Sequence, residues 1–390
     1  MRAVTQWRAW RTWQRSVYSL AGDCGQPTAV SDPLWLRPGD LTPGIQAAEY
    51  AARRAAVGET MPGGSCAVLV SAPVLRYHGT VIPVPSLYRA DADFLYLTGV
   101  TQPDCVALLH KDAVTQQLRY SLLTPPLEAT DRTWHGPRIH ADVARSVFGA
   151  DECAHTSALH SLLADLLASS RGGLFCDLPP PHAPSTPLHD VLRSAAARAA
   201  GISISSLKAL VAPHRWVKSP AELNLMRASA RATVAALSEA AGVAVPGARE
   251  GAAAATFEAH VRTEAGAQRL SFPSVAASGS RACAVHYGRH DGIVGPSDLF
   301  LMDAGCELHG YVSDVTRTWP VTGFTEPHRL VYDAVRAVHA NALAAVKPGV
   351  TLAQLHAQSV KDMSERIADL GMLPSALLTR TPAETSRRTY

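Results

Sequence analysis

The sequence of 390 residues has little excess charge, few cysteines and no long apolar run. Its formal net charge of +3 argues against a strong polyanionic partner such as nucleic acid. The seven cysteines are an odd number and include no CxxC pair, which suits a reducing compartment better than a disulfide framework. No apolar run approaches the roughly 20 residues that a membrane-spanning helix needs. We therefore predict neither a nucleic-acid partner nor a membrane partner.

Acidic residues are missing from the segment that runs from Met1 to about Gly22. If this segment were helical, arginines would share one face, and tryptophans with a valine would share another: Arg8, Arg11 and Arg15; Trp7, Trp10, Trp13 and Val17. An amphipathic, Arg-rich leader without acids is typical of an organelle transit peptide. The alternative is a frayed N-terminus of chance composition. We favour a transit peptide over residues 1–24 and the mitochondrial matrix as its destination, with chloroplast or cytoplasm as the alternatives.

The next segments predict an α/β domain that follows an extended stretch. Prolines and glycines recur at short intervals through residues 25–45, which favours an extended linker. From 46 to 207, helix and strand patterns alternate, which predicts a mixed sheet covered by helices. The predicted helices are 47–57, 158–169 and 187–200, and the predicted strands are 66–70, 93–100, 105–109 and 120–123.

A second domain is predicted from about residue 214 to residue 390. It begins with a helix whose start combines Ser219 as N-cap, Pro220 at the first helical position and Glu222 two residues later. Further helices are expected after residue 248, after Pro327 and after Leu352. Together with the strands between 271 and 320, they indicate an α+β domain.

Two strands joined by a tight turn are predicted between residues 299 and 320. Residues 299–302 are apolar, and residues 311–319 are rich in Val, Thr and aromatic residues. If the turn centres on Leu308 and His309, Asp303 and Asp314 lie directly opposite each other, with Cβ atoms about 4.5–5.5 Å apart. Carboxylates this close repel unless a cation lies between them, so the spacing predicts a site for Mg²⁺ or Mn²⁺. A surface hairpin with two solvated acids is the alternative.

Upstream of this hairpin, His286 is a candidate electrophile or metal ligand, although a lone histidine is more often structural. The block from 271 to 320 resembles the aminopeptidase P branch of the pita-bread metallopeptidases. The resemblance rests on residues 272–279 (FPSVAASG), 285–287 (VHY), 302–306 (MDAGC) and 311–320 (YVSDVTRTWP). It implies that Asp303 and Asp314 ligate a dinuclear centre, usually of manganese, and that His286 is catalytic at the scissile carbonyl. Where the family has a substrate-contacting Tyr, this chain has Phe272.

The N-terminal half carries a second resemblance. Residues 89–99 (RADADFLYLTG) and 134–138 (WHGPR) resemble the creatinase-type N-terminal domain of the same family, so 46–207 is expected to have that fold. The resemblance implies oligomer contacts through this domain, and thus a homodimer as an option. Trp134 and His135 are candidates for facing the site, with core packing as the favoured alternative.

The resemblance implies a metal-dependent aminopeptidase that removes the N-terminal residue from peptides or proteins, preferably from Xaa-Pro, by metal-hydroxide attack. Mitochondrial relatives also trim imported proteins. Alternatives are a non-catalytic pita-bread protein that binds peptides or partner chains, and a prolidase-like metallopeptidase. The family's other ligands, one His and two Glu, belong to a second half that does not follow Tyr390. We therefore expect a C-terminally truncated member with an incomplete metal shell and little or no activity by itself.

Overall fold

The computed structural model describes residues 24–74, 88–126, 133, 136–169, 172–178, 187–198 and 202–372. The predicted leader up to residue 23, and Trp134 and His135, lie outside the described residues. The chain divides into two compact units. The first unit contains Met1–Ala232, Ala265–Ser271 and Cys306–Ser313. The second unit contains Thr233–Glu264, Phe272–Gly305 and Asp314–Tyr390.

The first unit mixes strands and helices, as the alternating sequence pattern predicts. Its strands are β1 (Asp40–Thr42), β2 (Ile45–Gln46), β3 (Cys66–Val70), β4 (Val106–Lys111), β5 (Leu118–Thr124), β6 (Glu152–His155), β7 (Leu174–Phe175), β8 (Ile204–Ser205), β9 (Arg269–Leu270), β12 (Cys306–Leu308) and β13 (Tyr311–Val312). Its helices are α1 (Ala47–Thr60), α2 (Ala92–Thr98), α3 (Ala141–Ser146), α4 (Leu159–Ser169), α5 (Pro187–Arg198) and α6 (Leu207–Trp216).

Six of these strands form one mixed sheet in the order β6-β5-β4-β3-β7-β8. Strand β4 is antiparallel to both of its neighbours, β3 and β5. The other pairs are parallel: β5 with β6, β3 with β7, and β7 with β8. The first four residues of β4 are all buried, so this central strand reads as a continuous apolar run. The predicted mixed sheet is confirmed, and the predicted strands 105–109 and 120–123 correspond to the paired strands β4 and β5.

The strand predicted over 93–100 is wrong, because this segment is helical. Asp91 caps α2 by accepting hydrogen bonds from the backbone N–H groups of Asp93 (2.9 Å) and Phe94 (3.0 Å). Gly99 ends the helix at φ 69°, the left-handed conformation that glycine adopts without strain. Phe94 and Leu97 are buried on one helical face. Capping residues at both ends therefore outweigh the strand-like composition.

The segment predicted as a linker, 25–45, packs into the first unit. Leu36, Leu41 and Ile45 are buried, and β1 pairs with β2. The side chain of Gln26 accepts a hydrogen bond from the backbone N–H of Thr101 at 2.9 Å. Apolar side chains placed between the prolines and glycines thus tie an extended backbone to the core.

Strands β12 and β13 of the first unit are held by buried charges. Glu307 is only 2% exposed at its side chain and forms ion pairs with Arg89 (2.6 Å) and with Arg269. The Tyr311 hydroxyl donates a hydrogen bond to Glu222 at 2.9 Å. Buried ion pairs contribute geometric specificity more readily than net stability, so we read these contacts as fixing the position of the two strands.

The second unit combines a small antiparallel sheet with long helices. Helix α7 (Pro220–Val243) contributes residues 220–232 to the first unit and residues 233–243 to the second. It begins with the predicted capping box, in which Glu222 N–H donates to Ser219 Oγ (3.2 Å) and Ser219 N–H donates to Glu222 (2.8 Å). The further elements of the second unit are α8 (Glu250–Thr263), β10 (Val275–Ser278), β11 (Leu299–Ala304), β14 (Val315–Pro320), α9 (Glu326–Ala345) and α10 (Leu352–Asp369). The predicted helices after 248, 327 and 352 are thereby confirmed.

None of the seven cysteines, all of which lie in the described ranges, forms a disulfide. In the part of the chain that the structure describes, no helix has the length and apolarity needed to cross a membrane.

Candidate functional site

The register of the site hairpin differs from the sequence prediction. Asp303 pairs with Thr316, and Leu308 pairs with Tyr311, so Asp303 does not lie directly opposite Asp314. The turn consists of His309 and Gly310, with φ values of 52° and 90°. Positive φ at both central residues is the requirement of a type I′ turn, whose twist matches that of paired strands. The prediction centred the turn one residue too early, and the register therefore moves by two residues.

A shift of two residues leaves both aspartates on the same face, because side chains along a strand alternate with a period of two. Asp314 is then the diagonal neighbour of Asp303, a distance that side chains still bridge. Its pKa reflects this: loss of solvation, followed by the charge and the hydrogen bond of Asp303, raises the pKa of Asp314. The structure therefore brings the two predicted carboxylates together by a different route.

Asp303 is placed by strands on both sides. It pairs with Val275 of β10 and with Thr316 of β14, at the centre of the three-stranded sheet. Phe300 and Trp319 stack in the same sheet with ring centroids 5.1 Å apart, which adds to the packing of the strand pair. A central strand with two hydrogen-bonded neighbours gives this carboxylate a fixed position.

One oxygen of this pair is unsatisfied. Asp303 Oδ1 is buried and has no hydrogen-bond partner among the described residues. A buried carboxylate oxygen without a donor is unfavourable, and a hard divalent cation is the ligand that two facing carboxylates suit. The residues present therefore fit part of a divalent metal site. Among the residues that the structure describes, no third His, Cys, Asp or Glu joins the pair.

His286 lies in an exposed turn that follows the short 3₁₀ helix Gly279–Cys283. Within the described ranges it does not form a three-ligand group with Asp303 and Asp314. Phe272 is half-buried, three residues before the strand residue Val275 that pairs with Asp303. The catalytic role of His286 and the substrate contact of Phe272 stay predictions.

Sequence reasoning missed Glu250. Its carboxylate is fully buried and accepts hydrogen bonds from the segment that carries His286, including one from the hydroxyl of the next residue, Tyr287, at 2.7 Å. The only signal in the sequence is an acidic residue at the start of a helix, which by itself indicates no more than a favourable interaction with the helix dipole.

Comparisons with known proteins agree with the geometry. The family model described as "Metallopeptidase family M24" matches residues 224–376, and the model described as "Aminopeptidase P, N-terminal domain" matches residues 50–175. The predicted domain boundaries themselves stay predictions, since the matched ranges do not define where each domain begins and ends.

Among curated relatives, the mitochondrial intermediate cleaving peptidase 55 of Arabidopsis thaliana is 36% identical over 367 residues, which cover 93% of this chain and 72% of the relative. Xaa-Pro aminopeptidase 3 of Rattus norvegicus is 31% identical, with 90% of this chain and 71% of the relative covered.

Solved structures give the same result. Aminopeptidase P from E. coli, in its low-pH form, matches with a TM-score of 0.76 and 27% identity, over 85% of this chain and 75% of that chain. Icp55 from Saccharomyces cerevisiae matches with a TM-score of 0.75 and 26% identity, over 86% of this chain and 76% of that chain. The fold predicted from the resemblance is confirmed. The chain therefore belongs to metallopeptidase family M24, in its aminopeptidase P branch, and combines the N-terminal domain of that branch with the pita-bread fold of a metal-dependent aminopeptidase.

Proposed function

We propose that this aminopeptidase removes single N-terminal residues from peptides whose second residue is proline, and that it acts in the mitochondrial matrix on imported proteins. The substrate preference is supported by relatives named Xaa-Pro aminopeptidase 3. The location is supported by a relative named as the mitochondrial intermediate cleaving peptidase 55, and by the acid-free, arginine-rich start of the sequence. Manganese is the proposed metal, because hard oxygen ligands suit Mn²⁺.

The single observation that carries the proposal is the pair Asp303 and Asp314, in which Asp303 Oδ1 is buried and has no partner in the part of the chain that the structure describes. These two carboxylates would hold the metal. A bound divalent cation supplies Lewis-acid activation of the scissile carbonyl and of water. Holding two carboxylates together in the ligand-free fold is unfavourable, so their position is explained by binding and not by stability.

The other predicted residues would act on the substrate directly. His286 has an exposed imidazole, and a ring N–H can donate to the carbonyl oxygen as negative charge develops there. Phe272 offers an apolar ring, which would contact the substrate by packing and without the hydrogen bond of a tyrosine hydroxyl. The homodimer through the N-terminal domain stays a prediction.

The test compares a fluorogenic peptide that begins with Xaa-Pro with its Xaa-Ala counterpart, in Mn²⁺ and after chelation with EDTA. We expect metal-dependent release of the first residue, with faster cleavage of the Xaa-Pro peptide. Asp303→Asn should lower the rate by more than about 100-fold, because even indirect supports of a metal ligand contribute 10–100-fold.

The matched control is Glu264→Gln, which neutralises an exposed carboxylate of the same unit. Its rate should equal that of the wild type. Equal rates for Asp303→Asn and wild type, or hydrolysis that EDTA leaves unchanged, would contradict the proposed function.

A further inference from the structure

Both carboxylate oxygens of Glu250 accept hydrogen bonds from within the second unit. Its side chain has no solvent exposure. The two oxygens accept hydrogen bonds from Ser278 N–H (2.7 Å), Arg281 Nε (2.6 Å), the Tyr287 hydroxyl (2.7 Å) and Gly292 N–H (3.0 Å). Two carboxylate oxygens offer about four lone-pair positions, so these donors saturate the group.

All these donors belong to one segment, 278–292, which encloses His286. Ser278 and Gly292 lie at its two ends, and Tyr287 directly follows the histidine. The backbone adds two further ties, because Glu250 N–H donates to the Gly292 carbonyl and Gly251 N–H donates to the His290 carbonyl, each at 2.9 Å. One side chain thus closes a loop whose middle is exposed.

Hydrophobic packing alone would not give this arrangement. Apolar residues of similar volume usually replace a buried ion pair without loss of stability. A charged acceptor with several donors instead fixes direction as well as distance. Burial raises the pKa of Glu250, but the hydrogen bonds from Arg281, Ser278 and Tyr287 lower it by a larger amount. The net shift of the pKa is therefore downward, and the group stays ionised.

The same carboxylate also holds the strand beside the aspartate pair. Ser278 is the last residue of β10, and Val275 at the other end of that strand pairs with Asp303. Gly292 allows a close approach, since a Cβ there would lie 2.5 Å from Glu250 Oε2. Glu250 is therefore connected to His286 through Tyr287 and to Asp303 through β10.

We propose that Glu250 is a positioning residue of the peptidase site, which fixes the loop that presents His286 to the substrate. This inference depends on the proposed function, because it assigns Glu250 to the support of a histidine whose catalytic role is itself proposed.

The experiment uses the full chain with Mn²⁺ and an Xaa-Pro peptide, and compares Glu250→Gln with Glu258→Gln. Glu258 is the matched control: it is a glutamate of the same helix α8, in a surface ion pair with Arg262 at 2.9 Å. We expect Glu250→Gln to lower kcat about 10–100-fold, the size of effect seen for residues that orient site groups, with KM changed less than about threefold. Glu258→Gln should change neither.

A double-mutant cycle with His286→Ala distinguishes positioning from general destabilisation. If Glu250 acts through His286, adding Glu250→Gln to His286→Ala should lower kcat by less than about twofold more, because coupled residues are not additive. If the double variant instead loses kcat by the product of the two single-variant factors, the two residues act independently and the inference is overturned. Wild-type kcat in His286→Ala would contradict the proposed role of His286 and overturn the inference with it, whereas a loss in His286→Ala with none in Glu250→Gln contradicts only the inference. The proposed function fails separately, if Asp303→Asn retains the wild-type rate.

A measurement without turnover completes the test. Arg289 lies in the loop with its side chain 78% exposed, so trypsin cleavage after Arg289 reports opening of the loop. Cleavage should be at least about tenfold faster in Glu250→Gln, the factor that loss of one charge-assisted hydrogen bond gives. If Glu250→Gln fails to fold, Tyr287→Phe replaces it, since it removes one donor and no charge. Wild-type cleavage in every folded variant would overturn the inference.

Discussion

The second unit contains two groups of carboxylates whose neighbours act on them in opposite ways. Glu250 is surrounded by donors, and its pKa is lowered in spite of its burial. Asp314 faces another carboxylate, Asp303, and its pKa is raised. The hydrogen bonds of Glu250 are complete, whereas the aspartate pair has a buried oxygen for which the described residues offer no donor.

This difference distinguishes a carboxylate that stabilises the fold from a pair of carboxylates that bind a ligand. A carboxylate that the fold satisfies stabilises the folded state, and its removal is felt as lost stability. A pair that the fold leaves unsatisfied lowers the stability of the ligand-free protein and gains when a cation binds. Residue type alone cannot make this distinction, since all three residues are acids. Substitutions of Glu250, Asp303 and Asp314 therefore change the stability of the protein in different directions.

The largest effect on stability is expected for Glu250→Gln. An amide opposite donors from Ser278, Arg281 and Gly292 cannot accept all their hydrogen bonds, and hydrogen bonds to charged groups contribute about 1.5–3 kcal/mol. We expect the free energy of unfolding at pH 7, measured in urea, to fall by about that amount. Glu258→Gln, which removes only a surface pair, should cost less than about 1 kcal/mol.

The pH dependence of this loss has a definite sign. The folded-state pKa of Glu250 is lowered, and an unfolded glutamate titrates at about 4.3. The contribution of its charge is therefore complete above that value and disappears as pH falls through the lowered pKa. The difference between wild type and Glu250→Gln should shrink below about pH 4. A difference that stays constant down to that range would contradict the assignment of the loss to the charge.

The sequence predicted that Asp303 and Asp314 share one face of the hairpin, although not their register, and it missed Glu250, for a physical reason. Residues 303 and 314 belong to one hairpin, so period-two alternation places them on one face from local information alone. The donors to Glu250 come from residues 278–292, which reach it only through tertiary folding. A buried acid at a helix start has no local signature that distinguishes it from an exposed one.

The errors in the hairpin and in the first unit have local causes. The turn was predicted at Leu308 and His309, but Gly310 carries the positive φ of 90° that marks the second central position. Placing the turn at His309 and Gly310 would have given the observed register. In residues 93–100, Asp91 and Gly99 are an N-cap and a C-terminal glycine, and these signals outweigh strand propensity.

A smaller effect is expected when Mn²⁺ is added. Binding to the folded state alone stabilises it by about 1.4 kcal/mol at ten times the Kd, which corresponds to a rise in Tm of about 3–6 °C for a protein region of this size. The wild type should show this rise in differential scanning fluorimetry, and EDTA should remove it. Asp303→Asn should show none, whereas the exposed-site control Glu264→Gln should behave as the wild type. An equal rise in Asp303→Asn would place the metal elsewhere.

The smallest effect on stability is expected for Asp314→Asn, and it is a gain and not a loss. In Asp314 a raised folded-state pKa means that the folded protein binds the proton more tightly than the unfolded chain, for which the pKa is about 3.9. Stability is therefore lost as pH rises from that value through the raised pKa. Asp314→Asn removes one of two facing charges and should stabilise the metal-free protein at pH 7, by less than about 0.5 kcal/mol because Asp314 is exposed.

Asp314→Asn should also abolish the stabilisation by Mn²⁺. Higher stability without the metal, together with no gain from the metal, is the result that identifies Asp314 as a metal ligand. A residue that serves the fold loses stability when it is replaced, whereas a residue that serves a ligand can gain it. Urea unfolding of Asp314→Asn at low and high salt, with EDTA and with Mn²⁺, separates the two cases. The gain should be reduced at 1 M salt, where screening acts over about 3 Å. If Asp314→Asn instead lowers the stability of the metal-free protein, Asp314 stabilises the fold, as Glu250 does, and is not a ligand of the metal.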